Sequence, residues 1–241
     1  MIDAFDRMTG GKLVFLAPMA GATDLPFRTL ALRFAQALLL HSGPATWPLA
    51  AAHLFLCSAP DRRAPDFQVL LRLFDPSLQP WLMRAPATDR WGMVVCLVQP
   101  ESRGHVRALS SDIRRAPEIL TGILSQGSDM ARMVATCQGL RRTMSGPGLT
   151  GWTKDELAPG PGIQTPEQWA QFVRASGDTI FHPGGTCAMG AVVDQDLSVH
   201  GVRGLRVVDA SVMPLPISGN IHAAVLAVAE KGAALIRAAA G

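Results

Sequence analysis

The sequence predicts an α+β fold, with strand-like segments ahead of a run of helices. Three observations carry this. The segments Phe67-Gln68-Val69-Leu70-Leu71-Arg72-Leu73-Phe74 and Met93-Val94-Val95-Cys96-Leu97-Val98-Gln99-Pro100 are apolar, partly β-branched, and separated by Pro, Asp and Arg, as sheet strands are. Met133, Val134, Cys137 and Leu140 recur at helical spacing within residues 130–144. Thr165-Pro166-Glu167 opens a further helix, with Pro at its first position and an acidic side chain near its positive end.

In chain order, Lys12-Leu13-Val14-Phe15-Leu16-Ala17-Pro18-Met19-Ala20-Gly21 reads as a short strand ending in a Pro/Gly turn. Thr23-Asp24-Leu25-Pro26-Phe27-Arg28 then opens an apolar helix to about Leu40. From Ser42 onward the text changes to the two strand-like runs. Glu101 to Arg107 forms a turn leading into an alternating strand, and Arg115-Ala116-Pro117 breaks the chain. Ser128-Asp129 precedes the helix over 130–144, and the helix at Thr165 runs to about Ala175. Leu205-Arg206-Val207-Val208 reads as a strand ended by Asp209-Ala210-Ser211, and a last helix covers about 222–239.

Composition bounds the function classes. With 48% hydrophobic residues, the 241-residue chain can bury a real core as one large or two modest domains. Charged residues make up only 17%, while Gly and Pro are plentiful, which implies many turns and a surface partly covered by something else. The net charge of +3 is small and its cations are scattered, which argues against nucleic-acid binding. Cys57, Cys96, Cys137 and Cys187 lie far apart without a CxxC pair, so neither a metal site nor a disulfide framework is indicated. No signal peptide and no membrane span is read, and a cytoplasmic location is expected.

The most informative stretch is Phe181-His182-Pro183-Gly184-Gly185-Thr186-Cys187-Ala188-Met189-Gly190, followed by Gly219-Asn220-Ile221-His222. Between them stand Val192-Val193-Asp194 and Gly204-Leu205-Arg206-Val207-Val208-Asp209-Ala210-Ser211. Together these segments resemble the C-terminal part of the glucose-methanol-choline (GMC) flavoprotein oxidoreductases, and the resemblance extends over about residues 43–241. It implies a GMC-type substrate-binding domain in which a sheet backed by helices roofs the flavin of FAD. Residues 12–36 instead resemble the start of the tRNA-dihydrouridine synthases, in which Pro18 and Met19 would sit against FMN. A single βα unit cannot make the eightfold barrel of that family.

Oxidation of an alcohol by hydride transfer requires a group that accepts the hydroxyl proton, and a neutral imidazole is suited to this. Pro183 holds His182 in extended backbone, and the two glycines after it let the chain pass closely over a ring. The resemblance assigns the base to His182; the alternative is a turn histidine bonded to backbone. The second catalytic position implied by the resemblance lies eleven residues before the Lys of Ala229-Glu230-Lys231, which gives Asn220, with His222 as competitor. An Asn amide can donate to a developing alkoxide, or cap the helix that follows. The resemblance further directs the N-terminus of the last helix, with Asn220, Ile221 and His222, at the flavin's pyrimidine side. It brings Asp209 and Ala210 near the pyrophosphate and ribityl chain; an ordinary strand-end Asp turn and a plain surface helix are the alternatives. Cys187 reads as a small buried filler, and His41, His53, His105 and His200 as satisfied or solvent histidines.

The Gly-rich strand-to-helix turn that holds an ADP pyrophosphate is absent from the text. The expectation is therefore a leader over 1–41 and a catalytic substrate-binding domain over 42–241, lacking the Rossmann-like FAD domain. Its partners would be an alcohol substrate and, as a candidate, a separate FAD-domain chain. A dihydrouridine synthase fragment and a non-catalytic partner-binding fragment stay open as alternatives.

Overall fold

The computed structural model describes residues 38–40, 50–72, 91–147, 149 and 153–240. The segment over 12–36, Leu73 and Phe74 of the first strand-like run, and His41 lie outside these described residues. The chain divides into two compact units, Met1–Ala52 with Leu71–Met93, and His53–Leu70 with Val94–Gly241. All the candidate site residues belong to the second.

The architecture is the α+β arrangement expected. Strands β1 (Ala52–Leu56), β2 (Phe67–Arg72) and β3 (Gly92–Leu97) form a three-stranded sheet with β2 in the middle. The Ala51 N–H donates to Leu71 O and the Asp66 N–H to Leu56 O, so β1 and β2 run antiparallel. Phe67 and Val69 are fully buried on β2, as the apolar run requires, and Gln68 between them is buried too. Strand β1 escaped the sequence reading because four of its five residues are exposed and carry no alternation. Strands β4 (His105–Arg107) and β5 (Glu118–Leu120) pair antiparallel, with Val106 opposite Ile119. The Pro117 break that was read before this point is where β5 begins.

Helix α1 (Gly127–Met144) starts before the expected Met130, so Ser128 and Asp129 sit in its first turn rather than ahead of it. Asp129 is fully buried there and accepts from the Glu101 and Ser102 N–H groups and the Ser102 hydroxyl. Helix α2 (Pro166–Ser176) has the start its sequence announces. Thr165 accepts from the Gln168 N–H, while the Gln168 side chain accepts from the Thr165 N–H, a reciprocal capping box. The Glu167 carboxyl is held below its ordinary value by its own N–H and then by the Thr165 hydroxyl. Met130 and Val134 of α1 pack against Trp169 and Val173 of α2, with Met133 and Cys137 beside them. Burial pushes the Cys137 thiol up to about 11, as befits an inert core filler. Arg141 lies 4.3 Å over the Trp169 ring and pairs with Glu156 at 2.8 Å, fastening the loop before α2 to this helix pair.

The expected strand Leu205-Arg206-Val207-Val208 is not a regular strand. Ser198 and Arg206 form an isolated bridge, and the Val199 and Val207 N–H groups donate to Leu205 O and Leu197 O. Gly201 and Gly204 both turn the chain at positive φ between these contacts, which leaves too little extended backbone for a ladder. The segment instead packs through Val207 and Val208 onto the cluster of Val193, Leu197 and Val212. Val228 and Leu235 of helix α3 (His222–Ala240) pack there as well. Gly232 makes this contact close, since a Cβ on it would lie 2.3 Å from Val208 Cγ1. Among the described residues no helix is long and apolar enough to cross a membrane.

Candidate active site

The segment 181–190 carries little regular structure, and its position comes from one-sided bonding to a neighbouring loop. The Cys187 and Met189 N–H groups donate to Ser211 O and Val212 O, each at 2.9 Å. A Cβ on Gly184 would lie 2.9 Å from Ala210 O, so only glycine lets the loop after His182 approach this backbone so closely. Cys187 is half-buried rather than a fully buried filler, because its N–H is drawn to the loop while its side chain stays near the surface.

Asp209 ends the irregular segment and caps a short 3-10 helix, Ala210–Val212. Its Oδ1 accepts from the Ser211 N–H at 2.8 Å and also from the Ser211 hydroxyl. The carboxylate thus has a local structural task, as the turn reading anticipated. Ala210 presents its carbonyl to the His182 loop through the Gly184 contact.

His182 is half-buried and its ring is held at both nitrogens. Nδ1 lies 3.1 Å from the Phe181 carbonyl, and Nε2 lies 3.1 Å from Asn220 Nδ2. A carbonyl only accepts, so Nδ1 carries the proton and Nε2 keeps its lone pair for the Asn220 N–H. Phe181, three-quarters exposed, adopts φ 62°, a left-handed conformation that is costly for an aromatic residue. The Thr179 hydroxyl accepts from its N–H at 3.0 Å and helps hold that turn.

Asn220 does not cap helix α3 with its side chain. Its Oδ1 accepts from Gln68 Nε2 at 2.9 Å and its Nδ2 meets His182, so the amide is directed at these two side chains. The first internal bond of the helix runs from the Val225 N–H to Ile221 O. The N–H groups of His222, Ala223 and Ala224 therefore have no acceptor within the helix and carry its positive end. Ile221 is buried, whereas His222 is exposed at the first helical position. The structure thus joins His182 to Asn220 directly and stands His222 beside them without a bond to either.

Sequence reasoning missed the residues behind this pair. Gln68, 1% exposed, bonds Asn220 across 152 positions and lies 2.9 Å from His53 Nδ1. Gln99 Nε2 donates to the Ser218 hydroxyl at 2.7 Å and holds the same loop from the end of β3. One signal was available: Gln68 is a lone amide inside an otherwise apolar strand, and such a group must find a partner.

A second polar centre lies at the start of the central strand β2. Arg132 on α1 donates to Asp66 at 2.8 Å and to Asp129, and both carboxylates are fully buried. Burial raises the Asp66 carboxyl, but the Ser58 hydroxyl and N–H and the Arg132 guanidinium together hold it below its ordinary value. Asp129 is likewise raised by burial and held lower by the Glu101 and Ser102 donors and Arg132. This centre fastens the helix to the sheet that carries Gln68.

Known proteins resemble this chain in sequence and in fold. The chain is 44% identical over 140 residues to oxygen-dependent choline dehydrogenases of Escherichia coli O127:H6 (strain E2348/69 / EPEC) and Serratia proteamaculans (strain 568). The match takes in 56% of this chain and 25% of each relative, so the chain spans about a quarter of the length of these relatives. Pyridoxine 4-oxidase from Mesorbium loti superposes with a TM-score of 0.64 at 31% identity, covering 76% of this chain and 36% of that one. A fungal aryl-alcohol oxidase superposes with a TM-score of 0.57 at 32% identity, covering 72% of this chain and 28% of that one. With the GMC oxidoreductase family model matching residues 100–229, more than half of its length, the chain belongs to the GMC oxidoreductase family.

Proposed function

We propose that this chain supplies the substrate-binding and proton-accepting half of an FAD-dependent alcohol oxidoreductase. The observation that carries the reading is the contact of His182 Nε2 with Asn220 Nδ2 beside the open N-terminus of α3. A flavin fits this position on physical grounds. The N–H groups of His222, Ala223 and Ala224 lack helical acceptors, and the Asn220 amide that could have capped them is engaged elsewhere. Such an end favours an electron-rich ring that gains negative charge. FAD, when bound, supplies the hydride acceptor.

The chain's own residues then handle the proton. Nε2 of a neutral His182 has one lone pair, and a substrate hydroxyl competes with Asn220 for it. An inserted alcohol donates its O–H to Nε2 and accepts from the Asn220 N–H, so one direct contact becomes two contacts through the alcohol oxygen. His182 takes the proton as negative charge grows on that oxygen, and the Asn220 N–H stabilises the charge. His222, exposed at the helix start, is the further polar group within this region for orienting substrate. Asp209 and Ala210 would hold the cofactor's ribityl and pyrophosphate side through backbone, since Asp209 Oδ1 is engaged by Ser211.

The relatives named above act on choline, pyridoxine and aryl alcohols, and the reading for this chain is the shared class, an alcohol. A separate FAD-domain chain is the partner the reading calls for, with the division into a 1–41 leader and a 42–241 domain. The test is flavin absorbance of the purified chain, alone and mixed with the FAD domain of a choline dehydrogenase relative, followed by anaerobic addition of primary alcohols. Loss of the oxidised flavin band on adding alcohol to the mixture is expected. Flavin that binds the mixture yet stays oxidised with every alcohol would refute alcohol oxidation and favour a non-catalytic partner-binding fragment.

A further inference from the structure

The hydrogen bonds that begin at His182 continue into the sheet, and their direction can be followed atom by atom. The Phe181 carbonyl accepts from Nδ1 of His182. The neutral ring then offers Nε2 as an acceptor to Asn220 Nδ2. With Nδ2 so used, Asn220 Oδ1 faces inward and accepts from Gln68 Nε2 at 2.9 Å. The second hydrogen of that same Nε2 points to His53 Nδ1, also at 2.9 Å. His53 can receive it only as a neutral ring protonated on Nε2. From the carbonyl to His53 every donor meets an acceptor, and of these members the two amides can reverse only together.

We propose that Gln68 is a positioning residue for His182. By donating to Asn220 Oδ1 it turns the Asn220 N–H toward the imidazole and reinforces, from the Nε2 side, the tautomer that the Phe181 carbonyl favours at Nδ1. His53 fixes the orientation of Gln68 in turn by accepting its second hydrogen. This rests on the reading of His182 as the proton acceptor only for its consequence in turnover; the tautomer itself is a property of the chain. Gln68 is 1% exposed between the fully buried Phe67 and Val69, and an apolar side chain would fill the same space without an amide to desolvate. What the amide adds is direction: only a donor at this place orients Asn220, and Asn220 touches the ring while Gln68 does not.

The experiment is histidine tautomer assignment by long-range 1H–15N correlation on the 15N-histidine-labelled chain in mildly alkaline buffer. In the wild-type chain His182 should show a protonated Nδ1 and a bare Nε2. Gln68→Glu replaces the donor with an acceptor, which draws in the Asn220 N–H, turns Oδ1 to the ring and should put a proton on His182 Nε2. Gln68→Met keeps the volume and apolar surroundings without a donor, so it tests the idea even if a buried carboxylate prevents folding. It should give averaged shifts from both tautomers. With a complementing FAD domain, Gln68→Met should lower kcat about tenfold while KM stays close to wild type. A His182 pattern that stays wild type in the folded Gln68→Met chain would overturn the proposal. Failure of alcohol oxidation with the tautomer shift intact would count against the functional reading alone.

Discussion

Asn220 Nδ2 lies 3.1 Å from His182 Nε2 across 38 positions of sequence, and this contact joins the segment 181–190 to the loop before α3. It gives each side chain a definite chemical state. Asn220 is a donor toward the ring, and the ring is an acceptor at Nε2.

A variant series separates the roles proposed for this pair. In chain complemented with an FAD domain, His182→Ala should lower turnover by roughly two to four decades, because no other group there accepts the proton. Asn220→Ala should cost less, since the base remains. His222→Ala should be mildest, as its ring bonds neither of the others. Steady-state rates with an alcohol would reorder the assignment if His222→Ala proved most damaging and Asn220→Ala near wild type.

Acid should loosen the link between α1 and the sheet. The Asp66 and Asp129 carboxyls both lie below their ordinary values in the folded chain. Their stabilising effect is therefore complete above the unfolded aspartate value of about 3.9 and is lost as pH falls through the lower folded values. Arg132→Met takes the shared guanidinium from two buried carboxylates, leaving Arg62 3.6 Å from Asp66 and the Ser58, Glu101 and Ser102 donors in place, and should cost about 3 kcal/mol at neutral pH. Urea titrations across pH check both points; equal midpoints for Arg132→Met and wild type would show that the pair contributes nothing net.

Phe181 pays for its left-handed backbone with little burial in return. Phe181→Gly should raise stability by about 1 kcal/mol, because glycine takes φ 62° without a Cβ clash and the ring is 75% exposed. A drop in the urea midpoint would reveal packing by the ring that outweighs the backbone term.

Gly232→Ala runs against helix propensity. Alanine favours a helix by about 1 kcal/mol over glycine, yet the added methyl would stand 2.3 Å from Val208 Cγ1. Net destabilisation of about 1–3 kcal/mol is expected from the overpacking. The double change with Val208→Ala should recover most of it; a Gly232→Ala chain more stable than wild type would mean that Val208 rotates away freely.

Much of the architecture was legible because its signals are local. Thr165, Pro166 and Glu167 mark the start of α2 within three residues, and the period of Met133, Val134 and Cys137 marks the face of α1 that packs on α2. Such signals are read along the chain and need no knowledge of what packs on it. Leu205-Arg206-Val207-Val208 misled for the converse reason. Its β-branched residues suit a strand and a buried cluster equally well, and the turns at Gly201 and Gly204 decided for the cluster.

The sequence by itself determined that Pro183 and then two glycines follow His182, and that an amide precedes the last helix while a second imidazole opens it. Only the tertiary structure decided how these groups are used. Gln68 and Asn220, 152 positions apart, meet because folding lays β2 and the end of β3 against the loop before α3, which Gln99 also holds through Ser218. That meeting turned Asn220 from a helix cap into a donor toward the His182 ring. A buried amide must satisfy its hydrogens with whatever folding brings within reach, and that choice is made by packing across the whole unit rather than by neighbours in the chain.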